Sequence, residues 1–188
     1  MRIGLLGGTF DPIHLGHLIA ASEVHSALHL DQVIFIPAGN PWQKSTRSIT
    51  SGPDRLNLVN LAIAGDQRFS SSDIEISRSG PTYTIDTINE LKQENPDNEY
   101  FLILGTDALV NLPTWHEFEK LKKLVTFVGV NRNGVLKVDL NFSVEFVKIP
   151  EIAVSATDIR KRVVTGKPIK YLVPSAVEQQ IEKLGLYK

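Results

Sequence analysis

The sequence predicts an α/β protein, a doubly wound, mostly parallel sheet with helices on both faces. Three observations lead there. About six short apolar runs have the length and continuity of strands buried on both faces. Stretches of helical spacing alternate with them. Glycine-rich or polar loops follow the strands, at the edge where open α/β sheets bind ligands. No repeat, low-complexity tract or linker divides the 188 residues, so 1–188 read as one domain.

The first element is Ile3 to Leu6, an apolar run ending in Gly7-Gly8. Leu18, Ala21, Val24 and Leu28 then recur at helical spacing. Strand, glycine turn, short loop and helix is how such proteins offer backbone N–H groups to a phosphate. His14 stands at the helix entrance and His17 in its first turn, three residues apart and able to share one face. Imidazole N–H groups beside the positive helix end suit an anion. Gly16 between them allows close approach of a bulky group.

Gln32 to Pro37 is the second strand. Its loop, Ala38 to Ser45, is too polar and punctuated for regular structure, and Lys44 is its one cation. Lys44 reads either as a phosphate ligand or as a solvated loop lysine. Pro53 opens the second helix, with Leu56, Val59, Leu61 and Ile63 on its apolar side, and Gly65 ends it. Phe69 to Ser77 alternates at Ile74 and Ile76 and reads as a strand. Gly80-Pro81 forces a turn, and Thr84 is placed to cap a helix to about Glu94 with Ile85, Ile88 and Leu91 inward. The free N–H groups at its start form a second anion site, or simply a capped helix end.

Glu99 to Leu104 is a strand closed by Gly105-Thr106-Asp107. Asp107 is placed to accept from ribose hydroxyls, or to cap the short helix after it. Thr114 and Glu117 have capping-box spacing for the next helix. Trp115 is not needed by that cap and reads as a stacking surface for a heteroaromatic ring, or as core. Leu124 to Val130 is a strand, and Arg132 in the loop behind it suits a phosphate or a base. Val144 to Ile149 is the last strand. Ser155 and Asp158 have capping spacing at the start of a helix that Gly166 stops. Ser155, Thr157 and Arg160 then make a polyphosphate cradle, or the polar face of a basic helix. Pro174 to Leu184 is a terminal helix with Val177, Ile181 and Leu184 inward.

Composition narrows the function. Hydrophobic residues are 42% and charged residues 22%, ordinary for a globular chain. A formal charge of −1 argues against a general nucleic-acid or membrane surface, so phosphate binding is local. With no cysteine, disulfides, zinc–thiolate sites and a thiol nucleophile are excluded. Neither a signal peptide nor a membrane span is visible, and a cytoplasmic protein is expected.

The string Gly7-Gly8-Thr9-Phe10-Asp11-Pro12 with His14-x-Gly16-His17 resembles the nucleotidyltransferase superfamily, whose sheet is Rossmann-like. Lys44, Pro81-Thr82-Tyr83-Thr84-x-Asp86-Thr87, Gly105-x-Asp107, Trp115 and Ser155-Ala156-Thr157-x-Ile159-Arg160 extend the likeness over nearly the whole chain. Together they look like the bacterial nicotinate-mononucleotide adenylyltransferases. Trp42-Gln43 before the loop lysine resembles the actinobacterial version, Ala156 stands where a second serine is usual, and His116 where an aromatic residue often follows the tryptophan.

The resemblance implies transfer of AMP from ATP to nicotinate mononucleotide, giving deamido-NAD and pyrophosphate. It assigns His14, His17, Lys44 and Arg160 to catalysis. It gives Gly8, Thr9, Phe10, Arg132, Ser155 and Thr157 to ATP and its phosphates, and Thr84, Gly105, Asp107 and Trp115 to the mononucleotide. Backbone N–H groups near Thr84 and Trp115 are expected to meet the nicotinate carboxylate. Mg2+ is expected as cofactor, held by phosphates and water rather than by protein ligands. No nucleic acid or membrane partner is expected, and a homo-oligomer is left open. Rivals are adenylyl transfer to nicotinamide mononucleotide or to phosphopantetheine, a non-catalytic nucleotide sensor, and an aminoacyl-tRNA synthetase fragment. The last would need a larger chain and a basic surface.

Overall fold

The computed structural model describes residues 1–39, 49–131 and 140–188, with Asn131 by its backbone alone. The expected strands are β1 (Arg2–Gly8), β2 (Gln32–Pro37), β3 (Phe69–Ser71), β4 (Glu99–Gly105), β5 (Val125–Asn131) and β6 (Glu145–Lys148). They form one sheet in the order β3-β2-β1-β4-β5-β6. Every neighbouring pair is parallel. The chain winds outward from β1 to β3, returns, and winds the other way from β4 to β6. The reversal puts a topological switch point between β1 and β4, the crevice where such sheets bind ligands.

The pleat of the central strands sorts two apolar layers. Ile3 and Leu5 of β1, with Tyr100, Leu102 and Leu104 of β4, meet α3 (Thr84–Glu94), α4 (Thr106–Asn111) and α5 (Phe118–Leu124). Leu6, Phe101 and Ile103 on the other face meet α1 (Leu15–Ala27), α2 (Gly52–Ile63), α6 (Ala156–Val164) and α7 (Ser175–Leu184). Helices therefore cover both faces. Among the described residues, no helix is long and apolar enough to cross a membrane.

Five local expectations are corrected. The strand from Phe69 stops at Ser71: Ser72 N–H still reaches the Phe35 carbonyl of β2 at 3.0 Å, and beyond it the chain bonds to itself. Ser77 N–H donates to the Asp73 carbonyl at 2.8 Å and Ile74 N–H to Ser72 Oγ at 3.3 Å. Such bonds compete with the ladder. Thr84 is the first residue of α3 rather than its cap: Tyr83 is the N-cap, and its carbonyl accepts from Asp86 and Thr87 N–H at 3.1 and 3.3 Å. In α2 the buried side chains are Arg55, Leu58, Val59 and Ile63, whereas Leu56 and Leu61 are only half-buried.

Thr114 and Glu117 do not form a capping box. Residues 112–114 are a 3-10 turn in which Thr114 Oγ1 donates to the Asn111 carbonyl at 2.7 Å. Glu117 adopts φ 53° before α5 and pairs with Lys120 at 2.6 Å. In α7, Val177 and Ile181 are buried but Leu184 is 42% exposed. Gly185 (φ 62°) turns the chain there, and Leu186 packs inward in its place.

Candidate active site

The loop after β1 is held from several sides. Gly8 ends the strand, and its carbonyl accepts from Ala38 N–H at 2.8 Å, so the exit of β2 stays joined to the exit of β1. Phe10 takes a left-handed backbone (φ 48°), rare for a bulky residue, with its ring 2% exposed. That ring lies 5.9 Å from Phe35 and edge-on to His17 at 5.0 Å. Phe10 is therefore a side-chain anchor, and only its backbone is in play for a ligand. Asp11 and Ile13 are buried behind it, and Asp11-Pro12 is cis.

His14 is the N-cap of α1, and His17 sits in its first turn, as their spacing predicts. The rings stack at 3.7 Å, and the His14 backbone N–H donates to His17 Nδ1 at 3.2 Å. A nitrogen that accepts a hydrogen bond carries no proton, so neutral His17 holds its proton on Nε2 and is a donor there. Gly16 is closely packed. A Cβ on it would stand 3.1 Å from both His14 Nδ1 and Val154 Cγ1. Within the protein, the groups that approach it closely are His14 and the β6–α6 loop.

The most consequential side chain missed in the sequence is Arg55, 1% exposed within α2. Its Nε donates to the Thr50 carbonyl at 2.9 Å, Nη1 to that of Thr9 at 2.7 Å, and Nη2 to that of Ala38 at 2.7 Å. One planar fork thereby ties both strand exits to α2. Burial lowers its pKa, while the nearby charge of Asp11 opposes the shift.

Glu75 was also missed. Its carboxylate accepts from Thr87 Oγ1 at 3.1 Å and also bonds the Gly39 N–H and the Thr82 hydroxyl. Burial raises its pKa, and these bonds oppose the rise. A Cβ on Gly39 would collide with the Glu75 carbonyl, so only glycine lets the β2 exit pass this close. Neither residue carried a local signal, because the partners of both lie in other segments of the chain.

On the β4 side, Gly105 is the N-cap of α4 and Asp107 lies exposed in its first turn. Tyr83 and His116 stack obliquely at 4.4 Å, which brings the α3 entrance and the Trp115 turn together. Trp115 is half-buried on the second apolar layer, partway between the two readings of it. Its own N–H donates to the Leu112 carbonyl at 3.0 Å and closes the 3-10 turn, so it is not itself the donor expected for a carboxylate. Thr84 is half-buried at the first position of α3.

From the far end of the chain, α6 reaches the same loop. Ser155 is its N-cap, with Oγ accepting from Asp158 N–H at 3.1 Å. The Asp158 carboxylate pairs with Arg162 at 2.9 Å. Arg160 Nη1 donates to the Asp11 carbonyl at 2.7 Å, across 149 residues, and Nη2 to Thr157 Oγ1 at 3.1 Å. The first and last motifs therefore meet. Lys44 and Arg132 lie outside the described residues.

A family model described as cytidylyltransferase-like matches residues 5–162. A Streptomyces coelicolor protein named probable nicotinate-nucleotide adenylyltransferase is 46% identical over 186 residues, covering 97% of this chain and 99% of its own. One of the same name from Shouchella clausii is 48% identical over 186 residues, covering 99% and 96%. The solved Plasmodium falciparum nicotinic acid mononucleotide adenylyltransferase complexed with NaAD matches with a TM-score of 0.81 at 22% identity, over 99% of this chain and 97% of that one. The same enzyme complexed with APC matches at 0.80 and 22%, over 99% and 96%. At that identity the structural likeness speaks for the fold.

Proposed function

The chain belongs to the cytidylyltransferase-like family, and within it to the nicotinate-nucleotide adenylyltransferases; from that premise we propose that it transfers AMP from ATP to nicotinate mononucleotide, yielding deamido-NAD and pyrophosphate in NAD biosynthesis. The observation that carries the reading is the meeting of the two motifs at the switch point, Arg160 on the Asp11 carbonyl at 2.7 Å beside the stacked His14 and His17. All 188 residues act as one transferase domain in this reading.

The chemistry suits these groups. A phosphate oxygen of the mononucleotide attacks the α-phosphorus of ATP, and the bond from that phosphorus to the bridging oxygen breaks as pyrophosphate leaves. The attacking phosphate is ionised at neutral pH, so no strong general base is needed. What remains is in-line positioning and neutralisation of charge. His14 and His17 serve the phosphates at the reacting centre, and the N–H groups of Gly8, Thr9 and Phe10 hold the α-phosphate or the mononucleotide. Lys44, Ser155, Thr157 and Arg160 serve the β- and γ-phosphates, and Arg132 meets a phosphate or the base. For this, Arg160 extends its hold from the Asp11 carbonyl to an oxyanion. Thr84, Gly105, Asp107 and Trp115 serve the mononucleotide, with backbone N–H groups preferring the acid over the amide because a carboxylate only accepts.

Mg2+ prefers oxygen donors. Among the described residues, no group of three or more His, Cys, Asp or Glu side chains converges on a common point. The imidazoles, hydroxyls and guanidinium at the crevice are phosphate donors, so the residues fit an ion held by ATP phosphates and water, supplying charge neutralisation there. The near-zero net charge argues against a general nucleic-acid or membrane surface, and the enzyme is taken to be cytoplasmic.

The test is pyrophosphate release with ATP and magnesium, comparing nicotinate mononucleotide, nicotinamide mononucleotide and phosphopantetheine. Release with the acid alone is expected. Release with the amide or the pantetheine overturns the assigned pocket, and ATP binding without release with any acceptor favours the sensor. In the same assay, Trp115→Ala is expected to raise KM for nicotinate mononucleotide about tenfold, the worth of one lost stacking contact. An unchanged KM removes Trp115 from the pocket.

A further inference from the structure

The end of the chain is fastened to the loop that begins the site. Past α7, the chain turns at Gly185 and Leu186 packs on the first apolar layer. Tyr187 then adopts φ 64°, in the left-handed region that is uncommon for a bulky side chain. Its hydroxyl donates to Asp11 Oδ1 at 2.8 Å, across 176 residues. The Thr50 side chain, which precedes α2, also bonds that hydroxyl. Burial, with the Asp11 carboxylate adding to it, pushes the phenol well above its ordinary pKa, so it remains a donor at any working pH.

Asp11 is 1% exposed, and its carbonyl is the one Arg160 holds. Its carboxylate lies in the very turn whose N–H groups are assigned to a phosphate. A negative group that shifts there either repels the incoming phosphates or drags the turn with it. Holding it still is a catalytic requirement, because in-line transfer is sensitive to displacements of about 1 Å.

We propose that Tyr187 is a positioning residue for adenylyl transfer, acting through Asp11: its hydroxyl holds the buried carboxylate and thereby sets the Thr9–Asp11 turn beside His14 and His17. The proposal rests on the adenylyltransferase reading and adds to it a dependence on the last residues of the chain. Tyr187 touches neither substrate in this account.

The test is Tyr187→Phe, which removes one oxygen and keeps the ring and its packing. Turnover for pyrophosphate release is expected to fall about tenfold, with KM for both substrates within about twofold and the melting temperature lower by about 2–8 °C, the protein remaining folded at the assay temperature. In an Asp11→Ala background, which has no side-chain acceptor, the same substitution is expected to cost nothing further. Full turnover in Tyr187→Phe, or an equal loss in the Asp11→Ala background, overturns the proposal. A second readout does not require activity: the imidazole resonances of His17 are expected to shift in Tyr187→Phe while the circular dichroism stays the same. Unshifted resonances overturn the proposal on their own. Failure of the unaltered protein to release pyrophosphate overturns the functional reading instead, and the resonances then decide whether Tyr187 sets the turn.

Discussion

His17→Ala is expected to lower turnover by about 10²–10³ while leaving the protein folded. The ring is half-buried, stacked on His14 at 3.7 Å and edge-on to Phe10 at 5.0 Å. Its Nδ1 accepts from the His14 N–H at 3.2 Å, which leaves the proton on Nε2 as a fixed donor. In a reaction with no general base, a preorganised donor at the reacting phosphate is among the largest single contributions available. The structural cost is smaller. One N-terminal bond of α1 is lost, about 1 kcal/mol, against a typical domain stability of about 5–15 kcal/mol. Steady-state kinetics and circular dichroism separate the two effects. Unchanged turnover in a folded variant sinks the assignment of His17.

Arg55→Met is expected to be the most destabilising single substitution in the site region, by about 3–5 kcal/mol, the range for leaving a buried polar network without one partner. The guanidinium donates to the Thr50, Thr9 and Ala38 carbonyls at 2.9, 2.7 and 2.7 Å. Methionine fills similar space but donates nothing, so three partly buried acceptors lose their donor at once. The nearby Asp11 also loses a compensating charge. Arg55→Lys recovers little, because one ammonium cannot span three carbonyls set around a planar fork. Urea unfolding at 25 °C measures the loss. Turnover of the fraction still folded is expected to fall as well, since Thr9 and Ala38 leave β1 and β2 at the crevice. A midpoint within experimental error of the unaltered protein rejects the clamp.

The two cases differ in how the sequence announces them. His14 and His17 stand in a local pattern: an apolar run, a glycine pair, and two imidazoles at the start of a helix. Strand and helix preference act over a few residues, so that pattern is readable and the structure keeps it, down to the N-cap position of His14. Arg55 follows Asp54 in a polar helix start and resembles any solvated charge. Its burial is decided by carbonyls at Thr9 and Ala38, 46 and 17 residues away.

What the sequence by itself determined is the local order: the strands β1, β2, β4, β5 and β6, the glycine turn, the histidine pair at the start of α1, the Ser155 cap of α6, and hence a parallel sheet wound in two directions. Each follows from periodicity, turn chemistry or capping within one element. Tertiary structure alone decided where β3 stops, that Tyr83 rather than Thr84 caps α3, and that Trp115 spends its own N–H on Leu112. It also decided that Arg55, Glu75 and Tyr187 hold the loops of the site. In each of those cases a backbone or carboxylate group sought a partner, and the choice depended on which donor the packed layers brought near. Local preference carries no record of that, because the partners become neighbours only after the sheet and its two helical layers have closed.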